Sequence, residues 1–570
     1  MKPHARLMLG CAALLTLVVG ILYARTRGFM FLRLDDYFYT AGCPFVPGGL
    51  SWENIGEAFN RFRYGGVWMP LTYISYMADV TLWGGGWGVH HLVNAALHAL
   101  NTLVVFALFV ALLPRVRQAS PQVSCLAAFL AALVWAVHPQ RVEAVAWIAS
   151  RKEELFTLFT LLGLAAWSRG ARGAGAACCA LACLSKPTAV CFAPLALLVD
   201  LSGFGQAPKR LRDCLRYVPL FAMALATGLI ALASQSRPEG MAEIALTHVP
   251  FLTRLCQALA ALGLYLAQTL VPWGIHFDYL DNVHGIACFV VFLSLVALLC
   301  WRVPSARRLV VVCGLFYLIA LAPVLGLFGS FGEHARADRF VYLPSVAFAF
   351  ALAVALCAGV RAQAAAACVA LTFAVLAWPV VGSYRNDYTA FARALRFAPD
   401  HWRALQHVGS EYCARLGRME EGLDLLRTSY RLSPRDSTAE ALVYALACRG
   451  DTRDAAEIFR LAAKVAKAPG LDKRGMMCEA LGVAETWAAR WDRAEMYLRA
   501  SLAAPQRFYS RDAANLALAD VLAHKGDTAG ARALLRPLAL SEKDDVRHQA
   551  FAALDALNRR ETPVAPEEKP

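Results

Sequence analysis

Two adjacent carboxylates, Asp35 and Asp36, are the residues of this sequence best suited to chemistry. They lie in the stretch RLDDYFYT (33–40), directly after an apolar segment at about 7–23. Carboxylates beside a bilayer face the protein interior or a water-filled cavity and often mark a functional site. Two close acids cannot both ionise easily, so one keeps a raised pKa and suits proton transfer. A helix end followed by two solvated acids fits the same pattern, and this alternative stays open here.

The composition indicates a membrane protein. The chain has 570 residues, of which 58% are hydrophobic and 17% charged, which is too apolar for a soluble chain of this size. The long apolar segments lie in residues 1–383, whereas residues 384–570 have the composition of soluble helices. Much of the basic charge lies in short loops between apolar segments, where it sets membrane topology. We therefore expect no nucleic-acid partner, despite a formal charge of +14.

The cysteines indicate neither a zinc site nor a disulfide framework. Of the 17 cysteines, 14 lie in residues 1–383, mostly inside apolar segments, where a free cysteine is a small buried hydrophobe. No CxxC motif pairs with another at metal-binding spacing.

The apolar segments and basic loops predict a topology. Basic residues at 115–117, 169–172, 209–212, 302–308 and 361 fall on one side if eleven apolar segments cross and the segment at 251–272 does not, and the positive-inside rule makes that side cytoplasmic. The N-terminus is then cytoplasmic and the C-terminal half extracytoplasmic. We expect residues 251–272 to be re-entrant or interfacial. The eleven predicted spans lie near 7–23, 89–113, 123–138, 153–168, 174–184, 188–203, 215–234, 285–300, 309–328, 339–358 and 364–382.

This topology brings four polar stretches to the outer face. Arg151, Lys186 and Arg339 lie there although the positive-inside rule disfavours cations at that position. A bound anion would hold them outside, and a lipid phosphate is the natural choice, because Arg and Lys bind phosphate through charge-assisted hydrogen bonds. The four stretches are residues 25–88, 138–154, 185–187 with 276–284, and 332–340.

The order of motifs along the chain resembles the GT-C superfamily of membrane glycosyltransferases, and more closely the bacterial relatives of the tetratricopeptide-repeat O-mannosyltransferases. Met69, Tyr76 and Tyr37 depart from the residues expected in that group, which puts substrate and metal use in doubt. The stretches that carry the resemblance are LDDYFYT, LSWENIGEAF (50–59), WMPLTYISYMAD (68–79), HHLVNAALHALNTL (90–103), HPQRVEAVAWIASRKEEL (138–155), LSKP (184–187) and ARADRFVYLP (335–344).

The resemblance implies roles for these residues. Asp35 or Asp36 would be the catalytic base that takes a proton from an acceptor hydroxyl, and no protein nucleophile would be needed. Arg151, Lys186 and Arg339 would hold the phosphate of a polyprenyl-phosphate-linked sugar donor.

Two further residues in the 138–155 motif receive expected roles from the same resemblance. His138 and Glu143 would bind the sugar or orient a catalytic group, although a histidine that stops a helix fits His138 equally well. No metal ligands are assigned, and a divalent metal requirement stays open. The polar residues of 90–98 fall at helical spacing, which favours hydrogen bonds between helices over metal binding.

The C-terminal half shows the rhythm of tetratricopeptide repeats, about 34 residues long. Small residues recur five positions after a turn glycine, as in Gly417–Gly422, Gly450–Ala455 and Gly526–Ala531, and they let two helices approach closely. The predicted units are 402–435, 437–469, 475–507 and 511–541, with a capping helix at 542–559. Stacked helix pairs of this kind form binding surfaces.

The sequence therefore predicts an all-α protein. A transmembrane GT-C-like bundle at 1–383, with a first outer loop at 25–88, precedes a tetratricopeptide-repeat solenoid at 384–559 and a disordered tail at 560–570. The expected function is an inverting transfer of a sugar, such as mannose, from a polyprenyl-phosphate carrier to a hydroxyl acceptor on protein Ser or Thr. The expected location is the outer face of a bacterial inner membrane, with a protein acceptor or partner on the repeats. A non-catalytic membrane scaffold, or a glycosyltransferase acting on lipid or polysaccharide, is the alternative.

Overall fold

Helices make up the secondary structure of the described residues, apart from one isolated β-bridge between Tyr279 and Arg336. The chain forms two compact units, Met1–Arg393 and Ala394–Pro570. The predicted all-helical fold class is confirmed. The computed structural model describes residues 3–32, 34–61, 64–235, 250–280, 284–327, 336–465, 475–504, 511–541 and 543–561. Parts of several predicted features therefore lie outside the described residues: 33 and 62–63 of the first outer loop, 281–283 and 332–335 of the other outer polar stretches, 328 of one predicted span, 466–469 and 505–507 of the repeats, 542 of the capping helix, and 562–570 of the tail.

The first unit holds sixteen helices and the start of a seventeenth within the described residues. The unit extends beyond the predicted domain end at residue 383, because the Nε–H of Arg393 donates to the carbonyl of Ile275 at 2.7 Å. The helices are α1 (Pro3–Tyr23), α2 (Asp35–Tyr39), α3 (Trp52–Asn60), α4 (Pro70–Trp83), α5 (Trp87–Val116), α6 (Pro121–Val137), α7 (Val142–Ala146), α8 (Arg151–Ser168), α9 (Arg172–Ser185), α10 (Phe192–Leu201), α11 (Val218–Gln235), α12 (Phe251–Leu270), α13 (Gly285–Arg302), α14 (Arg307–Leu321), α15 (Val346–Leu356), α16 (Val360–Ser383) and α17 (Asp387–Phe397).

Fewer helices than expected have the length and composition of a membrane span. Among the described residues there are six, or seven if a pair of helices bent by 59° after Val137 counts as one span. The expected number of about eleven is therefore not supported. A span needs about 20 apolar residues, whereas α9, α10 and α15 are shorter and α8 begins with four charged residues. The six candidates are His4–Gly28, Trp87–Val116, Leu211–Ser234, Gly285–Arg302, Pro304–Val324 and Val360–Ser383.

Helix α8 lies inside the first unit, in contact with α5, α9 and α10. Its first turn, Arg151 to Glu154, is buried although all four residues are charged. Buried charges are costly unless they are paired or hydrogen-bonded, so the surrounding elements must supply partners. This helix end therefore organises the polar centre of the unit.

The second unit consists of antiparallel helix pairs. Glycines allow the close approach within the first pair, because a Cβ added to Gly409 would lie 2.8 Å from the carbonyl oxygen of Gly422. Gly417, Gly450 and Gly526 adopt positive φ angles at the turns, a conformation that glycine reaches without strain. The predicted repeat rhythm matches α18 (Trp402–Ala414) with α19 (Met419–Leu432), α20 (Asp436–Arg449) with α21 (Ala455–Val465), α22 (Gly475–Trp487) with α23 (Trp491–Ala503), α24 (Asp512–His524) with α25 (Thr528–Leu538), and a last helix α26 (Asp544–Glu561).

Candidate functional site

The two carboxylates of the acidic pair have different environments. Asp36 is fully buried, and its two oxygens accept the backbone N–H groups of Leu32 and Ala149, each at 2.8 Å. Burial raises the pKa of Asp36 to about 8, although these two hydrogen bonds act in the opposite direction. Asp35 is only partly buried, and within the described residues its carboxylate has no hydrogen bond or ion pair. Asp36 thus ties α2 to the turn before α8, whereas Asp35 makes no such contact among the described residues.

Asp35 belongs to a group of charges at the N-terminal end of α8. It lies close enough to Tyr39, Lys152 and Arg339 for direct electrostatic interaction. Burial and the charge of Asp35 raise the pKa of the Tyr39 phenol, so that phenol stays neutral. The Nζ of Lys152 donates to the Tyr39 hydroxyl at 3.2 Å and lies 4.5 Å from the centre of its ring.

Two of the three cations around this group are paired with carboxylates. The Nζ of Lys186 lies 2.5 Å from Oε1 of Glu153, and the guanidinium of Arg339 forms an ion pair with Glu143. Lys152, by contrast, forms no ion pair within 4 Å among the described residues, although the charge of Asp35 acts on it. A lysine without a carboxylate in contact, buried except for about 9% of its surface, is the strongest sign of an anion site in the described residues.

Glu143 holds Arg339 in place from two directions. One carboxylate oxygen accepts the Arg339 backbone N–H at 2.9 Å, and the other accepts its guanidinium. Burial alone would lower the pKa of Arg339, but the charges of Glu143, Glu153 and Asp35 raise it. Arg339 is therefore a permanent cation, and Glu143 acts by positioning it.

The residue before Arg339 is a second buried acid. One oxygen of Asp338 accepts the Tyr279 hydroxyl at 2.8 Å, and the other has no hydrogen-bond partner. Burial, and then the charge of Glu143, raises the pKa of Asp338 to about 7.

Aromatic rings surround the cations. The guanidinium carbon of Arg339 lies 4.9 Å from the centre of a Trp147 ring and 4.8 Å from that of Phe340, and Lys186 lies 5.1 Å from Phe340. The indole Nε1 of Trp147 and the hydroxyl of Tyr73 are buried, and neither has a hydrogen-bond partner in the part of the chain that the structure describes. Buried donors of this kind call for a partner, and a polar ligand would supply it.

Arg151 does not face this group, although it was expected to bind phosphate. It is fully buried, and its Nη1 lies 2.6 Å from Asp79. The Nε donates to the side-chain oxygen of Asn94 at 2.8 Å, and Nη2 donates to the carbonyl of His90 at 2.9 Å. With its donors committed to protein partners, Arg151 is a structural residue in this geometry.

His138 also has both ring nitrogens occupied. Its Nδ1 accepts the backbone N–H of Gln140 at 3.1 Å, and its Nε2 lies 3.1 Å from the carbonyl of Thr269. Because a carbonyl only accepts, the proton must be on Nε2. The side chain therefore caps the turn after α6, which leaves no nitrogen for a sugar.

The histidines of α5 make hydrogen bonds between elements. His90 Nδ1 lies 2.6 Å from Asp79, and His98 bridges the Tyr342 hydroxyl at 2.6 Å and the carbonyl of Ala136 at 3.0 Å. In the part of the chain that the structure describes, no group of three or more His, Cys, Asp or Glu side chains is arranged to hold a metal ion.

Sequence reasoning missed Lys152 as the main cation of the site. Lys152 lies next to Arg151, and the two point in different directions because successive helical residues are about 100° apart. The signal was present, since Lys152 stands beside Glu153 and Glu154 in a predicted outer stretch. The sequence alone does not show which of the two forms an ion pair. The three-dimensional environment does, because Arg151 contacts Asp79 and Lys152 contacts Tyr39.

Comparisons with known proteins add no family assignment. No protein-family model matches the chain, and no curated protein matches it at a significant level. Solved structures that align with it include the crystal structure of yeast Tom70, at 11% identity over 76% of this chain and 92% of that chain, with a TM-score of 0.20. A similarity this low carries no argument about function.

Proposed function

We propose that this protein is an inverting glycosyltransferase of the membrane, which moves a sugar from a polyprenyl-phosphate carrier to a hydroxyl acceptor. The observation that carries the proposal is a carboxylate, Asp35, and a cation, Lys152, that meet at one end of α8, neither of which forms a close ion pair among the described residues. An acid with free oxygens suits proton removal, and a free cation suits a phosphate leaving group.

The reaction needs no covalent intermediate on the protein. The acceptor oxygen forms a bond to the anomeric carbon from one face while the bond from that carbon to the phosphate oxygen breaks on the other face. Asp35 takes the hydroxyl proton, and the electron pair of the broken bond leaves on the prenyl phosphate. The donor is thus converted to a prenyl phosphate and the acceptor to a glycoside, with inversion at the anomeric carbon.

The cations would stabilise the charge that develops on the leaving phosphate. Lys152 can bind a phosphate oxygen without giving up a carboxylate. Lys186 and Arg339 would share their donors between the phosphate and their carboxylate partners, Glu153 and Glu143. Charge-assisted hydrogen bonds in a water-poor site are strong, so this arrangement favours the charged product side of the reaction.

The helix pairs of the second unit support a protein partner. Arrays of stacked helix pairs offer extended binding surfaces, so we place the binding of a protein acceptor or partner on residues 402–541. We further propose that the charged end of α8 and the repeats face the outside of a bacterial inner membrane. The same helix pairs favour a second candidate, a non-catalytic membrane scaffold. A glycosyltransferase acting on lipid or polysaccharide would share the site but not the use of the repeats.

Binding of a polyprenyl phosphate tests the proposal directly. In the purified full-length chain, Lys152→Gln should weaken binding roughly ten- to a hundredfold, because it removes a charge-assisted hydrogen bond. Lys209→Gln is the matched control, since it removes the same charge from the exposed loop after α10. Equal effects of both substitutions, or no binding by the unchanged protein, would reject the donor site and favour the scaffold.

A further inference from the structure

An apolar groove opens in the first unit between α5, α8, α10, α14 and α15. It is a half-open groove with a cavity volume of about 120 Å³, and Leu112, Leu164, Val199, Phe316 and Phe350 are among the residues that line it. Among the described residues, no charged side chain lines it. A groove with these walls accommodates a hydrocarbon chain and disfavours polar ligands.

One end of the groove is marked by two serines: Ser168 is the last residue of α8, and Ser202 directly follows α10. Helix α8 has its N-terminal Arg151 at the candidate site and its C-terminal Ser168 at this end. With a rise of about 1.5 Å per residue, the two ends of the helix are roughly 25 Å apart. The groove mouth is therefore a separate place from the glycosyl-transfer site, at a distance close to the thickness of a bilayer core.

Three exposed arginines surround the groove mouth, and each donates to the carbonyl of a residue that lines the groove. Arg115 donates to Phe204 at 2.9 Å, Arg308 to Ser202 at 2.8 Å, and Arg169 to Ala165 at 3.1 Å. None of these three arginines forms an ion pair with a carboxylate among the described residues. Three positive charges thus stand at the opening without counter-ions.

A buried acid on α10, Asp200, does not neutralise these arginines. Asp200 is fully buried, and its carboxylate receives hydrogen bonds from Trp167 at 3.0 Å, Tyr217 at 2.6 Å and Arg216 at 3.1 Å. It also accepts from Arg172 at 3.4 Å. Asp200 is already paired with these donors, so it does not form ion pairs with the arginines at the groove mouth. Those arginines remain available to an external anion.

We infer that this groove binds an anionic phospholipid, with an acyl chain along the apolar walls and the phosphate at Arg115, Arg169 and Arg308. Arg115 lies in the last turn of one candidate span and Arg308 in the first turn of another. Span ends lie at the depth of lipid headgroups, and basic pockets between membrane helices bind anionic headgroups. A phospholipid combines the required tail and charge in one molecule.

Lipid titration of the purified full-length protein in neutral detergent, followed by native mass spectrometry, tests this inference. The probes are dioleoyl phosphatidylglycerol and dioleoyl phosphatidylcholine. The variant Arg115→Gln with Arg308→Gln should lose about fivefold in phosphatidylglycerol affinity for each arginine removed, and its affinity for phosphatidylcholine should stay the same. These two arginines are exposed, so their replacement leaves the packed interior unchanged.

The matched control is Arg302→Gln with Arg307→Gln. Both arginines are exposed and lie at the same junction of α13 and α14, and Arg307 donates to the carbonyl of Cys300 rather than to a groove residue. This control should stay within about twofold of the unchanged protein, as expected for surface charges outside a binding site. A groove-filling variant, Ala347→Phe, should weaken binding of both lipids.

Four results would overturn the inference. They are an unchanged phosphatidylglycerol affinity in the Arg115/Arg308 variant, an equal loss in the control variant, equally tight binding of sn-glycerol 3-phosphate, and a preference for polyprenyl phosphate. The third result would mean a simple anion site without a tail. The fourth would mean that the groove receives the carrier of the transfer reaction instead of a membrane phospholipid.

Discussion

Replacing the two adjacent acids separately distinguishes a catalytic carboxylate from a structural one. Asp35→Asn and Asp36→Asn remove the same charge from neighbouring positions. Because only Asp36 is buried and hydrogen-bonded to the backbone, we expect the first change to affect sugar transfer and the second to affect stability.

The stability loss in Asp36→Asn follows from the two groups that the carboxylate binds. Both are backbone N–H donors, those of Leu32 and Ala149, and asparagine has one oxygen instead of two. Whichever way the amide is turned, one N–H faces an NH₂ group and loses its acceptor. A buried donor left unsatisfied costs about 1–3 kcal/mol, so Asp36→Asn should lower the free energy of unfolding by that amount at pH 5.

The deficit of Asp36→Asn in the free energy of unfolding, relative to the unchanged protein, should shrink as the pH rises from 5 and change sign as the pH approaches 8. Burial raises the pKa of Asp36 to about 8 in the folded state, above its ordinary value of about 4. The folded chain therefore keeps a proton that the unfolded chain loses, and the unchanged protein loses stability as the pH rises between those two values. Asparagine does not titrate, so the variant is spared this loss.

Asp35→Asn should behave in the opposite way. Its side chain is partly exposed and has no partner among the described residues, so the free energy of unfolding should stay within about 0.5 kcal/mol. Transfer from polyprenyl-phosphate mannose to a hydroxyl acceptor should slow by roughly 10²–10⁴-fold, the usual contribution of a general base. Denaturant unfolding and single-turnover transfer of the full-length chain in detergent measure both effects. An active Asp35→Asn beside a stable, inactive Asp36→Asn would refute this assignment.

Three further predictions concern other buried charges. Arg151→Gln should lower the free energy of unfolding by about 3–5 kcal/mol, because it leaves buried Asp79 without its cation, whereas Lys152→Gln should weaken donor binding with little effect on unfolding. Burial raises the pKa of Asp338 to about 7, so the unchanged protein should lose stability as the pH rises from about 4 to 7; a flat comparison with Asp338→Asn across that range would contradict this. Burial likewise raises the pKa of Glu479 to about 7. At a pH above 7, Glu479→Gln should therefore raise the free energy of unfolding by up to about 3 kcal/mol, which a higher thermal midpoint of the full-length chain would report. An equal gain at pH 4 would argue against ionisation as the cause.

The repeat half was predictable because its signals are local. The turn glycines, the small residues five positions later and the helical periodicity all act within one helix pair, and α18 to α25 follow the predicted units closely. The packing of Gly409 against the backbone of Gly422 could be predicted from the spacing of small residues, because two helices approach closely only where such residues face each other. Contacts between residues this close in the sequence can be predicted from residue spacing alone.

The number of spans was overestimated because apolar composition does not distinguish lipid from protein interior. Helices α9, α10 and α15 are apolar, and each is shorter than a span. Helix α8 is apolar only after its first turn, which is charged and buried. A hydrophobic stretch of 10–14 residues is more often a core helix than a span. Each of these short helices was counted as a span because that placed all the basic loops on one side of the membrane.

The roles within the site were not predictable, because they depend on the rotation of α8 about its axis. Arg151 binds Asp79 of α4 and Asn94 of α5, and these contacts fix the direction of the helix's first turn. With that direction fixed, the next residues, Lys152 and Glu153, turn toward Tyr39 and Lys186. The ion pair of Arg151 therefore fixes the orientation of the candidate site, although Arg151 does not face that site. Because Arg151 stands next to Lys152 in the sequence, it was expected to bind phosphate itself. A residue one step along a helix can orient the site while another binds the ligand.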